Sequence, residues 1–270
     1  MVLIYTPQNG GAMSEATVLL ERRDGVARVT LNRPDVLNSF NDAMFERLLA
    51  VLAEIKADRT VRAVYMTGAG RGFCAGQDIT GSNISGDLAK HLDDTWNRVA
   101  LGIRHLEVPV VAAVNGVAAG AGANLALACD FVLAAEEASF IQAFINIGLV
   151  PDTGGSWTLP HLVGRARATA ALMLGDKIPA KQAAEWGMIL KAVPLASLES
   201  EAWALAARLA AMPTLALGLT KRLINASATN SFEQQLVIEG EFQSIAGKSH
   251  DHAEGIGAFK EKRKPNFHGR

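Results

Sequence analysis

The sequence is poor in cysteine and has almost no net charge, and each of these features excludes certain classes of protein. Only two cysteines occur among 270 residues, Cys74 and Cys129, so the chain has no disulfide framework and no paired Cys/His spacing typical of a zinc site. The 26 basic and 27 acidic residues leave a net charge of −1, which provides no basic field for binding nucleic acid. We therefore expect a cytoplasmic protein without a nucleic-acid partner or a metal site.

Long apolar runs are also scarce. The first eleven residues contain no Lys or Arg, and their apolar run at 2–5 is too short for a signal peptide. Because Met13 is a second possible start, we expect residues 1–13 to be a disordered or start-site extension. The longest uncharged stretch, 108–129, contains one proline, two asparagines and three glycines, which predicts a buried strand, a turn and a buried helix. We expect no membrane partner.

What the chain does contain is the composition of a globular protein, with 49% apolar and 20% charged residues. Its first part alternates predicted strands with helices and opens on a hairpin at Asp24-Gly25. Asn41 can cap a helix whose apolar residues fall on one face. Beyond Gly154 the pattern becomes a series of Ala- and Leu-rich helices. The fold class is therefore α/β followed by a helical C-terminal region. The predicted strands are 17–20, 26–31, 63–66, 109–114, 131–134, 139–140 and 190–193, and the main predicted helices are 88–105, 116–129, 157–163, 166–174, 180–186, 198–212, 216–228 and 232–246.

Two motifs suggest chemistry that their surroundings do not support. The glycines at 68–72 and 120–122 resemble parts of a dinucleotide-binding fingerprint, but neither stretch completes it. The GFCAG sequence at 72–76 resembles a nucleophile elbow with Cys74 as nucleophile, yet no strand leads directly into it. A packing role for Cys74 is favoured, and a cysteine hydrolase remains an alternative. His250 and His252 lack a third ligand nearby and predict no metal site.

Two other segments, 71–79 and 115–124, place small residues at a turn before a helix. Such turns leave backbone N–H groups unpaired and directed into a cleft. Two convergent N–H groups can stabilise a developing oxyanion, so these segments predict an oxyanion hole.

These segments resemble the crotonase superfamily, the enoyl-CoA hydratase/isomerase family. The resemblance runs from about Val18 to the C-terminus and includes LNRP at 31–34, GRGFCAGQD at 70–78, VNGVAAGAG at 114–122, GLVPDTGG at 148–155 and AFKEKR at 258–263. It implies a spiral core of repeated ββα units over residues 14–200 and a helical trimerisation region over 201–270. It further implies an acyl-CoA substrate, no cofactor, and a homotrimer or a hexamer built as a dimer of trimers.

The resemblance also assigns roles to residues. The backbone amides of Gln77 and Ala121 are the implied oxyanion donors, at the ends of turns formed by Ala75, Gly76 and Gly120. A second group is implied in binding the CoA thioester, and Lys262 would pair with a phosphate. This group comprises Arg33, Ala75, Gly76, Asp78, Ile79, Gly120, Phe144, Phe259 and Lys262.

The sequence departs from the hydratases of that family at their two catalytic glutamates. Asn124 and Phe144 occupy the matching positions, and Asp152 is the only acid in the second catalytic segment. Its apolar neighbours predict a raised pKa that suits proton transfer. The alternative for Asp152 is a helix N-cap. Asn124 could bond a substrate oxygen, hold Asp152 through water, or cap the turn.

Within the family, residues 115–124, 151–157, 185–188 and 254–263 resemble the ring-opening isomerases of bacterial phenylacetate degradation. That resemblance implies conversion of a ring-1,2-epoxide of phenylacetyl-CoA to an oxepin-CoA, with a second activity that shifts the double bond of dehydroadipyl-CoA. An enoyl-CoA hydratase and a catalytically silent binding protein of the same fold remain alternatives.

Overall fold

The computed structural model describes residues 16–80 and 86–270, so the prediction for residues 1–13 lies outside the described residues. Two β-sheets form its centre. The first sheet contains β1 (Val18–Arg23), β2 (Val26–Leu31), β3 (Ala63–Gly68), β5 (Val110–Val114), β7 (Phe131–Ala135) and β10 (Lys191–Val193). Its strand order is β1-β2-β3-β5-β7-β10; β1 and β2 form the predicted antiparallel hairpin, and the later pairs are parallel.

A second, smaller sheet lies beside the first. It contains β4 (Gly72–Cys74), β6 (Val117–Ala119), β8 (Ser139–Ile141) and β9 (Lys177–Pro179) in the order β4-β6-β8-β9. Successive turns of the chain add one strand to each sheet, which produces the spiral implied by the resemblance. The sequence pattern predicts loops or turns where β4 and β6 form, and it predicts no strand at β9.

Ten helices occur among the described residues. They are α1 (Asp42–Ala57), α2 (Leu88–Asp94), α3 (Trp96–Arg104), α4 (Ala121–Leu127), α5 (Gly155–Leu174), α6 (Ala180–Glu185), α7 (Leu195–Ala210), α8 (Thr214–Ser227), α9 (Phe232–Ala246) and α10 (His250–Glu261). Short 3₁₀ turns form at Pro34–Val36 and Ala143–Ile147. As predicted, the Asn41 side chain caps α1 by accepting from Met44 N at 3.1 Å.

Two helical predictions need correction, and one predicted domain boundary coincides with a helix. The helix predicted over 88–105 is two helices, α2 and α3, which meet at Thr95. The two helices predicted over 157–163 and 166–174 join into α5, which kinks at Gly164, where φ is 73°. The domain boundary predicted at residue 200 falls inside α7, a continuous helix that packs on β3, β5 and β7.

The hydrophobic core lies between the first sheet and the helices that cover it. Every residue of β5 and of α4 is buried, and Met44, Leu48 and Ile55 of α1 share one buried face. The uncharged stretch at 108–129 thus forms the predicted buried strand, β5, and a buried helix, α4, whereas the strand β6 occupies part of the predicted turn. Across residues 16–80 and 86–270, no single helix is long and apolar enough to span a membrane; α7 and α8 reach that length only as a pair bent by 107°.

Charged side chains attach the C-terminal helices to the core. The Lys221 ammonium of α8, which is 8% exposed, donates to Ile103 O at 2.9 Å and to the Asp130 carboxylate at 2.8 Å. The buried Asp251 carboxylate of α10 accepts from the backbone N–H groups of His268 and Gly269, both at 2.7 Å. These bonds fix α8 and the chain terminus, whereas α9 has no buried residue.

Candidate active site

The two predicted glycine turns meet backbone to backbone. A Cβ atom added at Gly122 would lie 2.2 Å from the carbonyl oxygen of Cys74, so only glycine fits there. Gly76 has φ of 90°, and a Cβ atom at this residue would lie 2.9 Å from Ala119 O and 3.4 Å from Ala121 N. The turn after β4 and the start of α4 therefore approach more closely than side chains would permit.

The first turn aims the Gln77 amide. Gln77 forms an isolated parallel β-bridge with Phe40 of the same chain. Phe40 N donates to Gly76 O at 2.8 Å, and Asp78 N donates to Phe40 O at 2.9 Å. Because bonding groups alternate along an extended chain, the Gln77 N–H points away from Phe40. The Gln77 side chain is held as well, since its amide oxygen accepts from Trp96 Nε1 at 3.0 Å and its amide nitrogen donates to Phe40 O at 3.2 Å.

The second turn exposes the amide of Ala121. Ala121 is the first residue of α4, so its N–H has no acceptor within the helix. Gly120 precedes it with φ of 54° and offers no side-chain cap. A Cβ atom at Gly120 would lie 3.8 Å from the ring of Phe144, which is 7% exposed and closes this side of the turn. The Ala121 amide and the turn that carries the Gln77 amide thus lie side by side, as an oxyanion hole requires.

Asp152 is a partly buried acid close to this pair of turns. Burial raises the pKa of the Asp152 carboxyl, while a hydrogen bond from the Thr153 hydroxyl at 2.7 Å and the nearby His91 act in the opposite direction. His91 also contacts the Gln77 side-chain oxygen, with Nε2 at 3.3 Å. The burial expected from the sequence is therefore present, and it favours the protonated acid. Of the apolar neighbours that predict it, Phe144 is buried, whereas Ile147, Leu149 and Val150 are exposed.

The helix-cap alternative for Asp152 is wrong. α5 begins at Gly155, its N-cap residue is Gly154, and no side chain caps it. The Asp152 backbone oxygen instead accepts from Gly155 N at 2.9 Å across a tight turn. Thr153 in that turn has φ of 52°, a left-handed conformation that costs a β-branched residue about 1–3 kcal/mol. The Asp152 side chain therefore does not cap α5, although its turn leads into that helix.

Asn124 holds Asp152 directly, without an intervening water. Its side-chain nitrogen donates to Asp152 O at 2.9 Å, and its side-chain oxygen accepts from Gln142 Nε2 at 2.9 Å. The residue is 2% exposed, and a Cβ atom at Gly155 would lie 2.3 Å from the Asn124 amide. Each end of the Asn124 amide thus has a partner within the protein, which supports a positioning role, and its contact with a substrate oxygen stays a prediction.

Two predicted CoA-binding residues bond to each other. Arg33 donates to the Asp78 carboxylate at 3.0 Å, and Asp78 also accepts from the Thr80 hydroxyl at 2.7 Å. The bond from Thr80 and the contact with Arg33 lower the pKa of Asp78. The ion pair fixes the chain that follows Gln77, and Ile79 in that chain is 62% exposed. Their contact with CoA stays a prediction.

Phe259 and Lys262, the two C-terminal residues predicted to bind CoA, do not bond to the described residues around Asp152. Phe259 is 85% exposed on α10, and Lys262 ends that helix with φ of 54°. Within the described part of the chain, neither side chain forms a hydrogen bond or ion pair with the residues around Asp152. Their role in binding CoA stays a prediction that depends on a second copy of the chain.

Cys74 is unsuited to nucleophilic attack. Its side chain is fully buried, and burial raises the pKa of the thiol to about 12. The thiol donates to Asn38 O at 3.3 Å and accepts from Gly76 N at 3.4 Å. A thiol in this environment stays protonated at neutral pH, so the packing role is the one the geometry supports.

Two residues of this site were missed in the sequence. Asn38 is fully buried with φ of 58°, and its amide donates to the backbone oxygens of Ala69, Gly72 and Phe73, which shapes the loop before the first turn. Gln142 completes the chain through Asn124 to Asp152. Neither lies in a recognisable motif; only the Asn in LNRPDVLN after a strand, a frequent turn former, hinted at the first.

Comparison with known proteins agrees with this geometry. Residues 21–270 match the model of the enoyl-CoA hydratase/isomerase family. The chain is 46% identical over 258 residues to 1,2-epoxyphenylacetyl-CoA isomerase of Escherichia coli K12, covering 94% of this chain and 98% of that protein. It is 44% identical to a "probable enoyl-CoA hydratase" of Rhodobacter capsulatus, covering 96% and 100% of the two chains.

The fold is matched as well. The crystal structure of an enoyl-CoA hydratase from Mycobacterium smegmatis superposes with a TM-score of 0.89 at 31% identity, covering 94% of this chain and all of that one. The spiral of paired sheets and the two facing backbone turns thus define an enzyme of the crotonase type, which acts on CoA thioesters. The chain belongs to the enoyl-CoA hydratase/isomerase family.

Proposed function

We propose that the protein is an isomerase of acyl-CoA thioesters that uses one carboxyl group as a proton shuttle. The observation that carries this proposal is Asp152, a partly buried acid with a raised pKa whose backbone is tied through Asn124 to the helix that begins at Ala121. The positions of the two hydratase glutamates hold Asn124 and Phe144. A hydratase needs one group to activate water and another to move the proton, whereas isomerisation needs only one acid.

The proposed mechanism is proton transfer through an enolate. The thioester oxygen accepts hydrogen bonds from the backbone amides of Gln77 and Ala121. The Asp152 carboxylate removes the proton next to the thioester carbonyl, and the same group returns it elsewhere in the conjugated system. Each amide aimed at the developing negative charge contributes about 3 kcal/mol to lowering the barrier.

The proposed substrate is ring-1,2-epoxyphenylacetyl-CoA, and the product is oxepin-CoA, as part of phenylacetate catabolism. The 46% identity to the E. coli isomerase over nearly the whole chain supports this choice. A second proposed activity shifts the double bond of dehydroadipyl-CoA by the same proton transfer. No cofactor takes part in either reaction.

A second candidate function is hydration of an enoyl-CoA, favoured by the 44% identity to the R. capsulatus protein. Hydration needs two catalytic groups, whereas isomerisation needs one carboxyl group. Crotonyl-CoA, an enoyl-CoA that a hydratase converts to 3-hydroxybutyryl-CoA, therefore distinguishes the two candidate functions. We expect little hydration of crotonyl-CoA, because an amide and a phenyl ring replace the two carboxyl groups. Rapid accumulation of 3-hydroxybutyryl-CoA would support the hydratase and contradict Asp152 as the sole acid.

The proposed function is tested by incubating the purified protein with a panel of acyl-CoA thioesters in deuterated water, followed by mass spectrometry. Deuterium uptake next to the thioester is expected for an isomerase and not for a silent binding protein. Asp152→Asn should lower exchange and isomerisation by at least a hundredfold and keep thioester affinity within about tenfold. Asparagine preserves the shape of the side chain, so near-normal exchange in D152N would remove Asp152 from the mechanism.

A further inference from the structure

The hydrogen bonds behind Asp152 have a fixed direction. The Asp152 backbone oxygen only accepts, so Asn124 must present its NH₂ group to it at 2.9 Å. The Asn124 side-chain oxygen then faces Gln142, which must donate from its own NH₂ group, also at 2.9 Å. The chain therefore runs from Gln142 through Asn124 to Asp152 in one orientation.

This orientation leaves one group unpaired. Gln142 is 1% exposed, and its side-chain oxygen finds no donor among the described residues. Buried polar atoms in proteins are almost always paired, so an unpaired one calls for an explanation. Turning the Gln142 amide around would place two oxygens face to face at Asn124. The unpaired oxygen is therefore a consequence of keeping a donor directed at Asn124.

Resting on the proposed function, we propose that Gln142 is a positioning residue for the Asp152 carboxyl group, acting through Asn124. Its place suits this role, because Gln142 joins β8 to the 3₁₀ turn that carries Phe144 and so links the second sheet to the wall of the site. Among residues 16–80 and 86–270, the Asp152 backbone oxygen accepts one other hydrogen bond, from Gly155 N in its own turn. Asn124 and Gln142 thus fix a turn that already contains the left-handed Thr153.

The decisive variant is Gln142→Met, which keeps the length of the side chain and removes its hydrogen bonds. The substitution removes the unpaired Gln142 side-chain oxygen but leaves the Asn124 side-chain oxygen without its donor. Because the number of unpaired oxygens stays the same, we expect a Tm within about 3 °C of wild type. Freed from Gln142, the Asp152 turn relaxes, and we expect kcat for proton exchange to fall about tenfold with KM within threefold. The acidic limb of the kcat–pH profile should move to lower pH, since a less rigid carboxyl gains solvent.

Ser139→Ala is the matched control. Ser139 lies on β8 three residues earlier, is fully buried, and its hydroxyl also lacks a partner among the described residues, but it is not bonded to Asn124 or Asp152. S139A should keep the wild-type kcat, KM and pH profile. If Q142M does not fold, Gln142→Asn carries the same test, because its amide is one methylene too short to reach Asn124.

The experiment measures deuterium exchange against pH for wild type, Q142M, S139A and D152N. Loss of kcat with a shifted acidic limb in Q142M, and neither change in S139A, supports the proposal. A kcat for Q142M within twofold of wild type, with D152N inactive, overturns the role of Gln142 and leaves the proposed function intact. Wild-type exchange in D152N overturns both.

Discussion

The α4 helix and the α9 helix are both rich in apolar residues, yet every residue of α4 is buried and none of α9 is. α4 packs on β4 and β6 of the second sheet and on α3 and α5, and it begins at the candidate site. α9 exposes Phe232, Leu236 and Val237 at 74%, 51% and 62%. Exposed apolar clusters of this kind mark surfaces that bind other molecules. The two turns and Asp152 are thus organised within one chain, whereas α9 presents apolar side chains that no described residue buries.

The largest effect is expected from assembly. If a second copy covers α9, light scattering at micromolar concentration should give about three times the 28.6 kDa chain mass, or about six times for a dimer of trimers. Val237→Glu should lower that mass, because it places a charge on the apolar surface. Gln243→Glu adds the same charge on an exposed residue of the same helix and should not. A monomer in the wild-type protein would contradict this prediction.

The second prediction concerns the attachment of α8 to the core. Lys221→Met should lower the free energy of unfolding by about 3 kcal/mol, because the partly buried Asp130 loses its counter-ion. Chemical denaturation measures the loss. The matched control is Lys181→Met, since the Lys181 side chain beside Glu136 is solvent-exposed and its loss should lower stability much less. Equal effects in the two variants would show that the buried pair does not fasten the helix.

The third prediction concerns how the stability of the protein depends on pH through the partly buried Asp152 carboxyl. The folded pKa of Asp152 is raised, so its protonated form is favoured in the folded state, and that stabilisation is lost as pH rises through the folded pKa. Asp152→Asn should therefore raise Tm by a few degrees at pH 8, and the gain should vanish below the ordinary aspartate pKa of 3.8. Thermal melts across this range check the prediction; a lower Tm for D152N at pH 8 would contradict it.

The smallest effect is expected at Cys74. Cys74→Ser keeps a hydrogen-bonding group of similar size next to Asn38 O and Gly76 N, so activity should stay within about threefold and stability within about 1 kcal/mol. Steady-state kinetics and a denaturation curve measure both. Loss of activity beyond a hundredfold with intact folding would restore the cysteine hydrolase as a candidate.

Local pattern was sufficient to predict much of the fold. The buried run of β5, the Asp24-Gly25 hairpin and the cap at Asn41 each depend on neighbours in sequence, and the structure confirms all three. The three-residue strands β4, β6 and β9 are too short to show a period and are defined only by pairing with distant strands. The two helices predicted separately are continuous in α5 and meet at a kink at one glycine, Gly164.

The candidate site divides in the same way. Glycine turns and a lone acid are visible in the sequence, so Gly76, Ala121 and Asp152 could be nominated from their motifs. Gln142 and Asn38 act through hydrogen bonds to residues 18 and more than 30 positions away, and no spacing rule connects such partners. The left-handed conformation of Thr153 was equally hidden, because a β-branched residue argues against it.

The contact between Gly122 and the Cys74 carbonyl has a consequence for how this scaffold changes its chemistry. No side chain can enter there, so substitutions cannot remodel this contact between the two turns, which we propose to bind the thioester oxygen. Asn124, Phe144 and Asp152, by contrast, already carry side chains that other side chains can replace. New reactions can therefore arise when substitutions place carboxyl groups at different positions around the two unchanged backbone turns. To convert one activity to another, a designer should substitute those three residues and keep the glycines.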